Sequence, residues 1–194
     1  MSENLLAIAI SAALINNIIL TRFLGLCSFF GVSTKLKNSM MMGLAVTFVM
    51  VSSSVITWAI YQLVLVPLQI QYLRLVVFIL VIASFVQLLE MVITKVSPAL
   101  HKGFGIYLPL ITVNCAILGI TLINVEVERY SFLGSTVSSV ATGLGYSLAI
   151  LLMASIRTRL ELYEQPKSFH NLPLAFIVAA ILAMAFQGFS GMGR

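Results

Sequence analysis

The sequence predicts an all-α integral membrane protein: six transmembrane helices in two inverted three-helix repeats, with broken helices around two cysteines. Three observations carry that expectation. Of 194 residues, 60% are hydrophobic and 9% charged, and the mean hydropathy is +1.09, which excludes a water-soluble domain. Six apolar stretches each reach the ~20 residues that a helical crossing needs. The chain's 2 cysteines stand in matched settings, Gly25-Leu26-Cys27-Ser28-Phe29-Phe30-Gly31 and Val113-Asn114-Cys115-Ala116-Ile117-Leu118-Gly119, both of the form Cys-x-x-x-Gly.

The first stretch runs from Leu5 to Phe30 and ends before Lys35 and Lys37. Met1 to Asn4 carry Glu3 and no basic residue, unlike a secretory signal, so this helix is expected to stay in the mature protein. Met40 to Val66 follows, closed by Pro67; then Tyr72 to Thr94, closed by Lys95 and Pro98. The fourth is Phe104 to Asn124, ended by the charged cluster Glu126 to Arg129. Phe132 to Ile156 is the fifth. The segment Arg157 to Asn171, interleaved with Glu161 and Glu164, reads as a short cytoplasmic connector with a solvated face. Leu172 to Phe189 is the sixth. These crossings use up the chain, giving one membrane domain, 1–194, with halves of about 1–98 and 99–194.

Charge sets the orientation. The acids are glutamates, and the net charge is +5. In a membrane chain this excess concerns sidedness rather than nucleic acid. Alternate loops collect Lys35, Lys37, Lys95, Lys102, Arg157, Arg159 and Lys167 on one side, against Arg74, Arg129 and Arg194 on the other, with Arg22 inside the first helix. The positive-inside rule then puts both termini on the extracytoplasmic side.

An odd number of helices per half makes the halves enter the bilayer from opposite sides. A shift of 88 positions superposes Cys27 on Cys115, Gly31 on Gly119 and Leu20 on Leu108. Gly25 and Gly31 around one thiol, Pro109 and Gly119 around the other, break or kink helices and free backbone N–H groups. Free cysteine is often only a small buried hydrophobe, and nothing in the sequence supports a disulfide. A metal site has its own arithmetic. An ordinary iron-sulfur cluster takes four thiolates and this chain has 2, so a cluster would require a second polypeptide.

Other residues have weaker claims. Glu90 is the acid inside a predicted helix and a candidate for an ion path, although Lys95 or interfacial water could accommodate it. Arg22 could balance cluster charge, pair with a lipid phosphate or snorkel to the interface. Asn16, Asn17 and Asn114 are expected to bond between helices or to exposed backbone rather than to a cation. His101 and His170 lack a zinc setting. Trp58 and the tyrosines at helix ends read as interfacial anchors, and the methionines as core fillers. Gly143-Leu144-Gly145 and Gly103-Phe104-Gly105 read as packing or loop glycines rather than a nucleotide loop. No nucleophile-and-base pair or kinase signature appears.

Asn16-Asn17, Phe23-Leu24-Gly25-Leu26-Cys27, Phe30-Gly31-Val32-Ser33, Gln87-x-x-Glu90-Met91-Val92, Leu108-Pro109-Leu110-Ile111-Thr112-Val113-Asn114-Cys115-Ala116 and Gly188-Phe189-Ser190-Gly191 together resemble the RnfA and NqrE family of membrane subunits, nearly end to end. The resemblance implies a subunit of an ion-translocating ferredoxin:NAD oxidoreductase (Rnf) complex, a translocase that couples electron flow to Na⁺ or H⁺ movement. It implies an RnfE-like homologous partner of opposite topology, and a [2Fe-2S] cluster held by two cysteines from each chain. Carried over, Cys27 and Cys115 are this chain's ligands, with backbone support from Gly25, Leu26, Gly31, Asn114 and Gly119. Ferredoxin, NAD and flavin would belong to other subunits. The remaining alternative is an inverted-repeat transporter or scaffold with packing cysteines, in which Glu90 and the asparagines handle a cation.

Overall fold

The computed structural model describes residues 5–33, 36–96, 114–127, 130–160, 162 and 172–190. Among the described residues all regular structure is helical. Helix α1 is Leu5–Ile10, continued by a π-helical turn at Ser11–Ile15. Then come α2, Leu26–Val32, and α3, Leu36–Ile60, which also runs into a π turn at Tyr61–Leu65. A 3₁₀ turn at Gln71–Leu73 leads into α4, Arg74–Val96. Helix α5, Cys115–Leu122, ends in a π turn at Ile123–Val127, and α6 (Phe132–Leu160) and α7 (Leu172–Ser190) complete the set.

Among the described residues, three helical runs are long and apolar enough to cross a membrane: Leu36–Leu65, Gln71–Val92 and Phe132–Leu160. Leu5–Ile15, Cys115–Val125 and Pro173–Gly188 are apolar but shorter. The expected crossing from Leu5 to Phe30 is thus divided, the second part beginning after Gly25, one of the glycines read as helix breakers. Asn16 to Gly25 leaves the helical path while Asn17, Ile18, Ile19 and Leu20 stay buried. Hydropathy could not reveal this, because the interrupting residues are themselves mostly apolar. Lys37 lies inside α3 rather than in a loop, and Arg157 inside α6. The first half of the expected fourth crossing, Phe104 to Val113, lies outside the described residues, as do Glu3, Lys35, Pro98, His101, Lys102, Gly103, Gly105, Pro109, Glu128, Arg129, Glu161, Glu164, Lys167, His170, Asn171 and Arg194.

Helices α3 and α6 form the centre, and they run antiparallel. Rising residue numbers on α3 meet falling numbers on α6: Gly43 lies against Ser147, Thr47 against Gly143, and Ser54 against Ser135. The contact is close because the residues are small. A Cβ on Gly43 would sit 2.7 Å from Ser147 Oγ, and one on Gly143 2.6 Å from Thr47 Cγ2. Each partner hydroxyl bonds its own helix one turn back, Thr47 Oγ1 to the Gly43 carbonyl at 2.7 Å and Ser147 Oγ to the Gly143 carbonyl at 2.9 Å. The two hydroxyls meet at 3.3 Å. A local twofold relation, Gly43-x-x-x-Thr47 onto Gly143-x-x-x-Ser147, therefore passes between them.

The interior is rich in small polar groups and the outside is apolar. Ser39, Ser53, Ser54, Thr57, Thr121, Asn124, Ser135, Ser138, Ser139 and Thr142 are buried, while Leu44, Leu63, Leu80, Leu133, Leu144 and Met184 are exposed. In a bilayer the outer apolar residues are solvated by lipid, and polar contacts between helices replace the hydrophobic effect as the source of specificity.

Candidate thiol site at a helix break

The break after α1 is held by Asn17. Its amide nitrogen donates to the Gly145 carbonyl of α6 at 2.8 Å and to the Ala13 carbonyl at 3.3 Å, while its side-chain oxygen accepts from Ile19 N at 3.1 Å. Gly145 allows this approach, since a Cβ there would lie 2.5 Å from the Ala13 carbonyl oxygen. One side chain thus satisfies backbone groups that the interrupted helix leaves free. The chain then turns through Phe23, at φ 56°, and Gly25, at φ +86°. Gly25 is the N-cap of α2, and glycine adopts this left-handed conformation without a Cβ penalty.

At this turn the two cysteine settings meet. The Gly25 N–H donates to Cys115 Sγ at 2.9 Å. One residue, Leu26, separates Gly25 from Cys27, a span of at most ~7 Å of chain. Cys27 is the second residue of α2 and Cys115 the first of α5, and both are exposed.

A buried polar network fixes the arrangement from behind. Asn114 caps α5, its side-chain oxygen accepting from Ala116 N at 3.1 Å. Its amide donates to Ser28 Oγ at 3.4 Å, and Ser28 Oγ donates to the Gly25 carbonyl at 2.9 Å. Tyr146 of α6, fully buried, brings its hydroxyl within 2.7 Å of the same Ser28 oxygen. The two capped helix starts are therefore tied to each other and to the central helix, leaving the sulfurs at the surface. Among the described residues no group of three or more His, Cys, Asp or Glu side chains could hold a metal ion alone.

The match to the family model of the Rnf-Nqr subunit, a membrane protein, covers residues 5–193. The chain is 51% identical over 187 residues to the A subunit of the proton-translocating ferredoxin:NAD(+) oxidoreductase complex of Clostridium ljungdahlii, covering 96% of each chain. It is 49% identical over 188 residues to the A subunit of the Na(+)-translocating ferredoxin:NAD(+) oxidoreductase complex of Acetobacterium woodii, covering 97% of each. To the A subunit of the ion-translocating oxidoreductase complex of Syntrophotalea carbinolica it is 48% identical over 190 residues, covering 98% of each. This chain belongs to the Rnf-Nqr subunit family.

Within this Rnf-Nqr subunit the other expected residues have definite places. Leu26 opens α2; Gly31 lies inside α2 and Gly119 inside α5. The space at Gly119 is taken by Leu24, whose Cδ1 would be 2.5 Å from a Cβ there. Arg22 stands in the turn between α1 and α2 rather than in a helix, exposed, beside a small cavity it lines with Ser11, Asn16, Tyr130, Ser138 and Thr142. Asn16 bonds Ser11 Oγ at 3.1 Å. Glu90 is half-buried on α4, its backbone carbonyl accepting the Thr94 hydroxyl at 2.8 Å, and no described hydrogen bond joins it to the thiol site.

Arg157 departs from the sequence reading. Instead of lying on a solvated connector, its guanidinium donates to the Phe30 carbonyl at 3.0 Å and to Ser33 Oγ at 2.9 Å. A cation at the C-terminal end of α2 opposes that helix's dipole and satisfies its last carbonyls. Ser28, Tyr146 and Arg157 were missed as functional residues. The one local signal was Tyr146 itself, a polar aromatic placed directly after a packing glycine in the middle of an apolar helix.

Proposed function

We propose that this chain is a membrane electron-transfer subunit of an ion-translocating ferredoxin:NAD oxidoreductase complex, acting only within that complex. Cys27 and Cys115 would supply two of the four thiolates of a [2Fe-2S] cluster, the other pair coming from a homologous RnfE-like subunit of opposite topology. The contact from Gly25 N–H to Cys115 Sγ carries this reading, because it sets the turn that leads into exposed Cys27 against exposed Cys115. An N–H···S bond favours a ligating thiolate, and such bonds tune cluster potential.

When bound, such a cluster relays single electrons. The chain's own residues present two sulfurs to a partner, donate a backbone N–H to one of them, and keep water away from the rear through Phe29, Ile117 and Tyr146, all fully buried. A polar network without a carboxylate, Asn114-Ser28-Tyr146, adds no negative charge beside thiolates in a low-dielectric setting.

The six-span inverted repeat belongs to the same proposal. The antiparallel α3 and α6 occupy equivalent places in the halves 1–98 and 99–194, α2 and α5 each carry a cysteine within their first two residues, and the Gly43 and Gly143 contacts exchange under a local twofold. The basic loops then put the termini outside a bacterial or archaeal cytoplasmic membrane. Similarity does not choose the ion, since relatives named for protons and for Na⁺ are 51% and 49% identical to the chain.

Thiol alkylation tests the proposal. In the anaerobic assembled complex both Cys27 and Cys115 should resist a membrane-permeant maleimide, and both should become reactive together once iron is stripped by oxidant and chelator. Thiols that alkylate freely in the iron-replete, assembled complex would contradict it.

A further inference from the structure

A second polar centre lies at the far end of α5. Asn124 sits in the π turn Ile123–Val127, fully buried, nine residues and so about 14 Å of helix from Cys115. Its amide nitrogen donates to Ser139 Oγ at 3.0 Å, to the Ser135 carbonyl at 3.2 Å and to Ser54 Oγ at 3.3 Å. All its donor capacity points one way. Its oxygen Oδ1 is buried with no hydrogen-bond partner among the described residues, and so is the hydroxyl of Ser53, beside Ser54 on α3. Buried oxygens normally find a partner, and leaving one orphaned is costly.

The surroundings point to the occupant. A cavity of about 230 Å³, lined by Trp58, Tyr61, Gln62, Gln71, Val125 and Tyr130, adjoins the turn. Tyr130 N donates to the Asn124 carbonyl at 3.1 Å, and Trp58 Nε1 to the Tyr130 carbonyl at 3.3 Å, so the cavity wall is built on the Asn124 turn itself. The cluster's side chains, Asn124, Ser53, Ser54, Ser135 and Ser139, offer neutral oxygens and no carboxylate or imidazole. These five side chains carry neither a titratable proton nor a negative charge, which favours a monovalent over a divalent ion. Hard neutral oxygens suit a hard monovalent cation.

We propose that Asn124 Oδ1 and Ser53 Oγ are protein ligands of a buried sodium ion that enters through the Trp58–Tyr130 cavity. This rests on the ion-translocating part of the proposed function and is independent of the cysteines. The test is equilibrium binding of ²²Na⁺ to the purified complex, with iron measured on the same preparation, for wild type, Asn124→Leu, Ser53→Ala and Asn124→Asp. Wild type should bind saturably. Asn124→Leu and Ser53→Ala should each weaken that binding by about tenfold or more, the loss expected for one ligand oxygen to a charge. Asn124→Asp keeps the oxygen and adds charge, so it should bind more tightly. Should Asn124→Leu fail to assemble, Ser53→Ala and Asn124→Asp decide. Wild-type affinity in these variants, or no saturable binding in wild type, overturns the proposal and leaves Asn124 Oδ1 to a water. Sodium binding retained without iron would instead sink the cluster reading alone.

Discussion

Replacing Gly25 by alanine perturbs the thiol site at its most constrained point. The residue stands at φ +86°, where an L side chain costs roughly 1–2 kcal/mol. The added Cβ would lie 3.1 Å from Ala116 Cβ, 3.3 Å from Asn114 Oδ1 and 3.3 Å from Tyr146 Cε2. These neighbours are fixed: Ala116 has no rotamer to change, and Asn114 and Tyr146 are held by the Ser28 network. Overpacking of this kind costs about 1–3 kcal/mol. The combined penalty is therefore roughly 2–5 kcal/mol, and the turn relieves it by moving the Gly25 N–H away from Cys115 Sγ. Two assays follow the two effects: thermal unfolding of the detergent-solubilised complex, and a redox titration of the proposed cluster. Gly25→Ala should lower the unfolding temperature and also lower the midpoint potential, because the lost N–H···S bond stabilised the more negative form. Gly188→Ala is the control. Nothing lies within 4 Å of a Cβ there, so the change should be neutral or mildly stabilising. Equal stability and potential in Gly25→Ala and wild type would refute the reasoning.

Three further perturbations separate the supports of the site. Asn17→Leu strips Ile19 N of its buried partner, at about 1–3 kcal/mol for an orphaned group, and removes the tie to the Gly145 carbonyl of α6, so chemical denaturation in detergent should show a clear loss; wild-type stability would mean that the break is held otherwise. Arg157→Ala removes the charged donor from the Phe30 carbonyl and Ser33 Oγ, worth about 1.5–3 kcal/mol per bond to a charged group, and hydrogen exchange should rise at the end of α2 with α4 unchanged. Unaltered exchange there counts against the Arg157 anchor. Tyr146→Phe deletes one hydroxyl from a packed position and should destabilise by about 1 kcal/mol while shifting the redox midpoint, and a midpoint identical to wild type would detach the network from the thiols.

Much of this architecture is legible in the residues, for physical reasons. Gly25 reads as a helix breaker near Cys27, and it does stand at a break, as the N-cap of α2; Asn114 is expected to bond between helices or to exposed backbone, and it does the latter by capping α5. The Gly143-x-Gly145 pair likewise reads as packing, which its contacts with Thr47 and Ala13 bear out. What the sequence hides is long-range. Arg157 reaches a carbonyl 127 residues away, and Tyr146 meets a serine 118 residues away; local periodicity carries no record of either pairing. The interruption from Asn16 to Gly25 is hidden for another reason. Its residues are mostly apolar and its first turn is buried, so hydropathy continues across a helix that does not, and the local hints are Gly25, a helix breaker, and Asn17, whose side chain does the backbone's hydrogen bonding. Asn124 gives no warning in sequence, because its significance lies in an oxygen left unbonded after folding.

The central claim is that Cys27 and Cys115 act as a pair on one cluster shared with a partner. The most direct measurement is anaerobic iron and acid-labile sulfide analysis, with electron paramagnetic resonance after reduction, on this subunit co-purified with its homologous partner, comparing wild type with Cys27→Ser and Cys115→Ser. A two-iron signal is expected in wild type, lost or grossly altered in both variants while the pair remains assembled. An unaltered signal in either assembled variant, or a folded wild-type pair free of iron under conditions that preserve other clusters, would contradict the claim.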